Sequence, residues 1–204
     1  LMGRHAAGAS FLEGFLRYSR AESELFVRVE EDRHFAEFEN QAKAFGRDET
    51  ITPISRNTVG RQYRAGGLYL PGPGLAAKAE ERALYEDTAW SLCGITHTTS
   101  SMTAMDSIAA LLAAPVQSWD ALICTSNAVK NNVETILQAQ ADYLKNRLGI
   151  TKLVIPKLPV IPLGIHTNKF SFSSLKKSMS RQELEILPDE LVVLYVGRLS
   201  FHAK

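Results

Sequence analysis

Cysteine is scarce in this chain of 204 residues, which has only Cys93 and Cys124. Both lie in apolar segments that the pattern predicts to be buried strands, so a disulfide framework is not expected and reduced thiols favour a cytoplasmic protein. A long hydrophobic run is also missing. The longest, residues 108–116, has nine residues, whereas a membrane span needs about 20. Any association with membranes is therefore expected to be peripheral.

An excess of charge of one sign is absent as well. Lysine and arginine number 23 against 22 aspartates and glutamates, which gives a net charge of +1. This balance provides no general attraction to nucleic acid, so no nucleic-acid partner is expected. Hydrophobic residues make up 45% of the chain and charged residues 22%, the balance of a folded globular protein.

The apolar pattern alternates short β-rich runs with longer helical ones. It predicts strands at residues 25–29, 67–70, 92–96, 121–124, 159–163 and 191–196, and helices at 35–45, 75–85, 102–112 and 129–148. This alternation predicts an α/β fold with one Rossmann-like parallel sheet over residues 1 to about 165 and helices on both faces. In such sheets ligands bind at the carboxyl ends of the strands.

The composition changes toward the C-terminal end. Residues 170–181 are rich in serine and lysine, which indicates a linker, and residues 191–196 form an apolar run. A lone strand with nothing to cover its faces is not stable in water. The chain also opens directly on a glycine-containing segment. Both ends are therefore expected to be truncated.

The last residues contain the clearest candidate site. The strand at 191–196 is followed by glycine, then Arg198, then Lys204 six positions later. A guanidinium offers bidentate donors to phosphate, and an ammonium adds a mobile charge. Together, Arg198 and Lys204 could neutralise the diphosphate that leaves when a glycosyl bond to a nucleotide breaks. The alternative is a solvated charged tail after a strand.

Three ordered segments resemble family 4 glycosyltransferases of the GT-B fold. Residues 191–204 resemble the strand that opens the family's donor domain, which ends in Gly-Arg-Leu with a lysine shortly after. Residues 160–170 are similar to the family's Pro-x-Gly-(Val/Ile)-Asp-x-x-x-Phe motif at the domain junction, with His166 in place of the aspartate. Residues 123–126, followed by a predicted helix, are similar to the strand before that junction.

This resemblance implies the N-terminal half of a two-domain GT-B architecture. Residues 1–170 would form the acceptor-side Rossmann-like domain, 171–189 a linker, and 190–204 the first strand and phosphate-binding loop of the donor-side domain. The implied reaction moves a sugar from a nucleotide-sugar to a hydroxyl acceptor (a saccharide, a lipid-linked acceptor or a small molecule) with retention of configuration. The resemblance implies no metal and no cofactor besides the nucleotide-sugar co-substrate, and a fragment that is inactive alone.

His97 follows the predicted strand at 92–96, where the ligand edge of the sheet is expected. The resemblance implies that it lies near the reacting sugar. There its imidazole could hydrogen-bond the donor sugar or help to orient the acceptor. The alternative is that residues 98–101 cap the next helix and that His97 is merely adjacent to them.

Gly8 lies in residues 3–14, which resemble the family's first glycine-containing loop before a helix. Backbone amides at a helix start bind anions, and Gly8 is the predicted position of close approach to the donor diphosphate. The alternative is a helix whose Phe11, Phe15 and Leu16 face the core.

Two other classes of protein stay open. An NAD(P)-binding oxidoreductase is supported by the same glycine loop and by Glu30 after the strand at 25–29, although the full Gly-x-Gly-x-x-Gly fingerprint is absent. A non-catalytic Rossmann-like binding module is the third class, because a fold alone does not fix function.

Overall fold

The chain divides into two compact units, Leu1–Leu163 and Gly164–Lys204. We describe residues 3–22, 24–187 and 189–194 from a computed structural model. The strands are β1 (Glu24–Arg28), β2 (Thr50–Ile54), β3 (Gly67–Leu70), β4 (Ser91–Thr96) and β5 (Ala121–Cys124). The α-helices are α1 (Gly3–Tyr18), α2 (Asp32–Ala44), α3 (Gln62–Ala65), α4 (Ala76–Ala83), α5 (Met102–Ala109), α6 (Asn127–Leu148) and α7 (Ser174–Glu183). Strands alternate with helices through the first unit, which confirms the predicted α/β class.

All strand pairs are parallel, but they form two sheets. One contains β1 and β2, and the other has the order β3-β4-β5. The prediction of a single sheet is therefore wrong for the described residues. The physical reason is that β1 and β3 share no backbone hydrogen bonds, because a groove lined by residues of both strands separates them.

Four of the predicted strands are confirmed within one residue at each end, as β1, β3, β4 and β5. The strand β2 is missing from the sequence prediction, because its Thr-Ile-Thr-Pro-Ile segment contains a proline and has no clear apolar alternation.

The strand predicted at 159–163 is shorter and interrupted. Cys124 N donates to Pro159 O at 2.8 Å and Ile161 N donates to Cys124 O at 2.9 Å. Proline has no N–H, so pairing beside β5 is limited to isolated parallel bridges.

The main core surrounds the three-stranded sheet. Leu92 and Leu122 of the sheet and Ile108 of α5 are completely or almost completely buried. The helix α6 contributes one face to the same core through Val133, Leu137, Ala141 and Leu144. These residues recur at intervals of three and four, which confirms the helical face predicted from the sequence.

A buried ion pair holds the amino ends of β4 and β5. Arg82 of α4 donates to both carboxylate oxygens of Asp120 at 2.7 and 2.8 Å, and neither side chain is exposed. Arg82 also donates to the carbonyl of Trp90 at 2.8 Å, while Asp120 accepts from the backbone N of Leu92 at 2.8 Å. The pair therefore connects α4 with the residues that immediately precede β4 and β5.

The second unit contains a 3-10 turn at Thr167–Phe170 and the helix α7. The Ser173 hydroxyl caps α7 by accepting from Lys176 N at 3.2 Å, and none of the α7 residues is buried. This helix lies inside the segment predicted as a linker. Residues 191–194 are not in a strand, and the rest of the predicted final strand lies outside the described residues. The proposed domain boundaries stay a prediction.

Candidate functional site

The candidate site is the carboxyl edge of the three-stranded sheet. Three connections leave the sheet there: the Pro-Gly-Pro-Gly loop at 71–74 after β3, residues 97–101 after β4, and residues 125–126 after β5. Because all three strands are parallel, these connections emerge on the same edge. This is the edge at which the sequence predicted ligand binding.

Gly94 determines how closely the loop at 71–74 approaches β4. A Cβ atom on Gly94 would lie 2.6 Å from the Gly72 carbonyl oxygen and 2.9 Å from Cδ2 of Leu75. The same loop is held by a hydrogen bond from Ile95 N to Gly72 O, at 3.2 Å. A glycine inside an otherwise apolar strand is a signal of close backbone approach. The close approach at Gly94 is absent from the predictions made above, although this glycine is the signal that could have revealed it.

We expect Gly94→Ala to lower the free energy of unfolding by about 1–3 kcal/mol, because the added methyl must displace a backbone carbonyl in a packed region. Chemical denaturation of the variant measures this loss. The matched control is Gly74→Ala in the same loop, where a Cβ meets nothing within 4 Å. Equal stability of the two variants would show that the loop moves freely away from β4.

His97 directly follows β4 and is half-buried at this edge. The residue before it, Thr96, is fully buried, and its hydroxyl donates to the Ile123 carbonyl at 3.0 Å. This bond connects the ends of β4 and β5 at the residue before His97. The backbone from which the imidazole projects is therefore firmly held, as a side chain with a positioning role requires.

Hydroxyl-bearing residues follow His97 in the β4–α5 loop. Ser100 N donates to the Thr98 hydroxyl at 3.3 Å, and the Asn132 amide of α6 donates to the Thr99 hydroxyl at 2.6 Å. The second of these contacts connects the β4–α5 loop with α6. These groups supply a polar surface at the carboxyl edge with both donors and acceptors, which suits a polyhydroxylated ligand.

Two helices begin at the same edge. The Ser101 hydroxyl caps α5 by accepting from Ala104 N at 3.3 Å, and the Ser126 hydroxyl caps α6 by accepting from Val129 N at 3.1 Å. The alternative interpretation of residues 98–101 as a helix cap is thus confirmed at Ser101, and it does not conflict with a role for His97. Helix starts carry partial positive charge and favour a negatively charged ligand.

Gly8 does not lie at a helix start. It is the sixth residue of α1, so its amide belongs to the interior of the helix rather than to the free first turn. The predicted loop is helical because the alanines around Gly8 have high helix propensity and continue the helix through it. The alternative was a helix that turns Phe11, Phe15 and Leu16 toward the core. It is correct for Leu16, which is buried, whereas Phe11 and Phe15 are 39% and 40% exposed.

The other predicted site residues fall elsewhere. Arg198 and Lys204 lie outside the described residues. His166 lies in the second unit, at the residue before the 3-10 turn.

Among the residues that the structure describes, no group of three or more histidine, cysteine or acidic side chains could hold a metal ion. Over the same residues, no helix combines the length and apolar character that crossing a membrane requires.

Comparisons with protein-family models, with curated proteins and with solved structures give no match. The structure itself defines the class as an α/β protein with parallel strands that alternate with helices.

Proposed function

We propose that this chain forms the acceptor-side part of a nucleotide-sugar-dependent glycosyltransferase that retains configuration at the transferred sugar. The observation that carries the proposal is the position of His97. It directly follows the central strand of the three-stranded parallel sheet, next to Thr96, whose hydroxyl bonds the end of β5, and at the edge where α5 and α6 begin with serine caps. This arrangement agrees with the role that the sequence resemblance implies.

In this proposal His97 hydrogen-bonds the reacting sugar, and the polar groups of the β4–α5 loop help to orient the acceptor hydroxyl. Proximity and orientation of this kind lower the barrier without covalent participation of the protein. Arg198 and Lys204 take the charge that develops on the diphosphate. The proposal needs no bound metal, because basic side chains and helix starts supply the positive charge.

Thermal shift of the complete gene product tests the proposal. We expect UDP-, GDP- or ADP-sugars to raise the melting temperature and NAD or NADP to leave it unchanged. A ligand at 100 times its dissociation constant stabilises the folded state by about 2.7 kcal/mol, which such a measurement resolves. A shift with NAD or NADP alone would favour the oxidoreductase and refute the proposal. Nucleotide-sugar binding without any transfer to acceptors would instead identify a non-catalytic binding module.

A further inference from the structure

The charges of the chain are segregated along the sequence. Residues 143–182 contain eight lysines and arginines and no aspartate or glutamate, whereas residues 1–142 contain 13 basic and 18 acidic residues. Four of the eight basic residues belong to the first unit, and all four are exposed: Lys145, Arg147, Lys152 and Lys157. The total charge of +1 therefore conceals a strongly basic segment.

The charges of these four side chains are available to a partner. Within the described ranges, none of the four takes part in an ion pair, whereas most arginines earlier in the chain do. Lys145 and Arg147 lie in the last turn of α6, where a positive charge complements the helix dipole. Lys152 and Lys157 lie after the helix and have no such role, so an anionic partner accounts for them better.

The fold brings these basic residues to the amino edge of the three-stranded sheet. The helix α6 starts at the carboxyl end of β5 and runs back along the sheet. Its 22 residues span about 33 Å, whereas the four residues of β5 span about 13 Å, so the helix extends past the amino end of the strand. The chain then returns to the sheet where Lys157 N donates to Asp120 O at 2.8 Å, directly before β5. This edge is opposite to the one that carries His97.

Large apolar side chains are exposed at the same edge. Leu148 continues the buried face of α6 one turn beyond Leu144, but it lies past the sheet and is 64% exposed. Trp119 and Ile155 each lie two residues before a member of the parallel bridge at the start of β5, and both are exposed. The amino edge therefore combines exposed apolar side chains with basic ones that have no acidic partner in the described ranges.

We propose that this amino-edge surface, formed by Trp119, Leu148, Ile155 and the four basic residues, binds peripherally to a bilayer that contains anionic phospholipid. Lysine and arginine are attracted to the negative headgroups. Tryptophan favours the boundary between headgroups and acyl chains, into which the aliphatic side chains can insert. Exposed leucine and isoleucine suit a bilayer better than a nucleic acid, which stacks its bases on aromatic rings. This inference does not depend on the proposed function, since His97 lies at the opposite edge.

Flotation of the 204-residue chain with lipid vesicles tests the proposal. We expect binding to vesicles of phosphatidylcholine and phosphatidylglycerol in a roughly 2:1 ratio, and none to phosphatidylcholine alone. The variant Lys152→Glu with Lys157→Glu should bind the mixed vesicles about tenfold or more weakly. The matched control is Lys43→Glu with Arg61→Glu, which makes the same change of charge at two exposed residues outside the surface. It should weaken binding by less than about threefold, because distant charges are screened.

Tryptophan fluorescence of the unmodified chain gives a second readout that needs no variant to fold. Trp90 is 2% exposed and Trp119 is 42% exposed, so a blue shift on adding the mixed vesicles, with quenching by brominated lipids, reports insertion of Trp119.

Three results would overturn the proposal. Flotation without the shift and the quenching would mean that the apolar side chains stay outside the bilayer. An equal loss of binding in both double variants, or in neither, would place the contact on another surface. Binding to RNA or duplex DNA oligonucleotides with no flotation would assign a nucleic-acid partner instead.

Discussion

Replacement of Asp120 by alanine is expected to lower the free energy of unfolding by about 3–5 kcal/mol, the usual cost of removing one partner of a buried ion pair. The Arg82 guanidinium would remain inside the protein without its carboxylate. The backbone amide of Leu92 would lose its acceptor too, as would that of Gln117, which donates to Asp120 at 2.8 Å. Urea or guanidinium denaturation measures the effect directly.

Two variants separate the charge effect from other causes. Asp106→Ala removes an exposed carboxylate from α5 and should change stability by less than about 0.5 kcal/mol. The double variant Arg82→Met with Asp120→Leu removes both charges. It should recover much of the stability that Asp120→Ala loses, because well-packed apolar residues often replace a buried pair at little cost. A loss below about 1 kcal/mol in Asp120→Ala would mean that water reaches this pair.

If the proposed glycosyl transfer is correct, replacement of His97 by alanine is expected to reduce turnover by about 100- to 1,000-fold in the complete gene product, as does removal of one donor aimed at developing charge. Stability should change by less than about 1 kcal/mol. The half-buried imidazole is outside the main core, and Thr96 keeps its hydrogen bond to Ile123 without it. Two measurements check that turnover falls while stability is kept. One is steady-state kinetics with the nucleotide-sugar that gives the largest thermal shift, and the other is the melting temperature.

The matched control is His34→Ala, which removes an exposed histidine from α2. Both its turnover and its melting temperature should stay close to those of the unmodified protein. If His97→Ala retains turnover within about threefold, His97 is not catalytic. If it loses activity only in proportion to a lower melting temperature, its role is to support the β4–α5 loop.

Some features of the first unit follow from local sequence alone. The apolar runs at β1, β3, β4 and β5 are short and bounded by turn residues, and the pattern along α6 repeats every three or four residues. Both signals depend on neighbours along the chain, so they can be recognised without knowledge of the fold. The position of His97 at a strand end follows from the same reasoning. By contrast, β2 has no such local signal and forms only because it pairs with β1.

The sequence by itself determined the α/β class, most strand positions, and the placement of His97 after a buried strand. Only the tertiary structure decided that the parallel strands form two sheets, that Gly8 lies inside α1, and that Gly94 allows the loop at 71–74 to approach β4. The physical reason is that periodicity and propensity act between near neighbours. Sheet edges, close backbone contacts and the Arg82–Asp120 pair depend on residues that are far apart in the chain and meet only after folding.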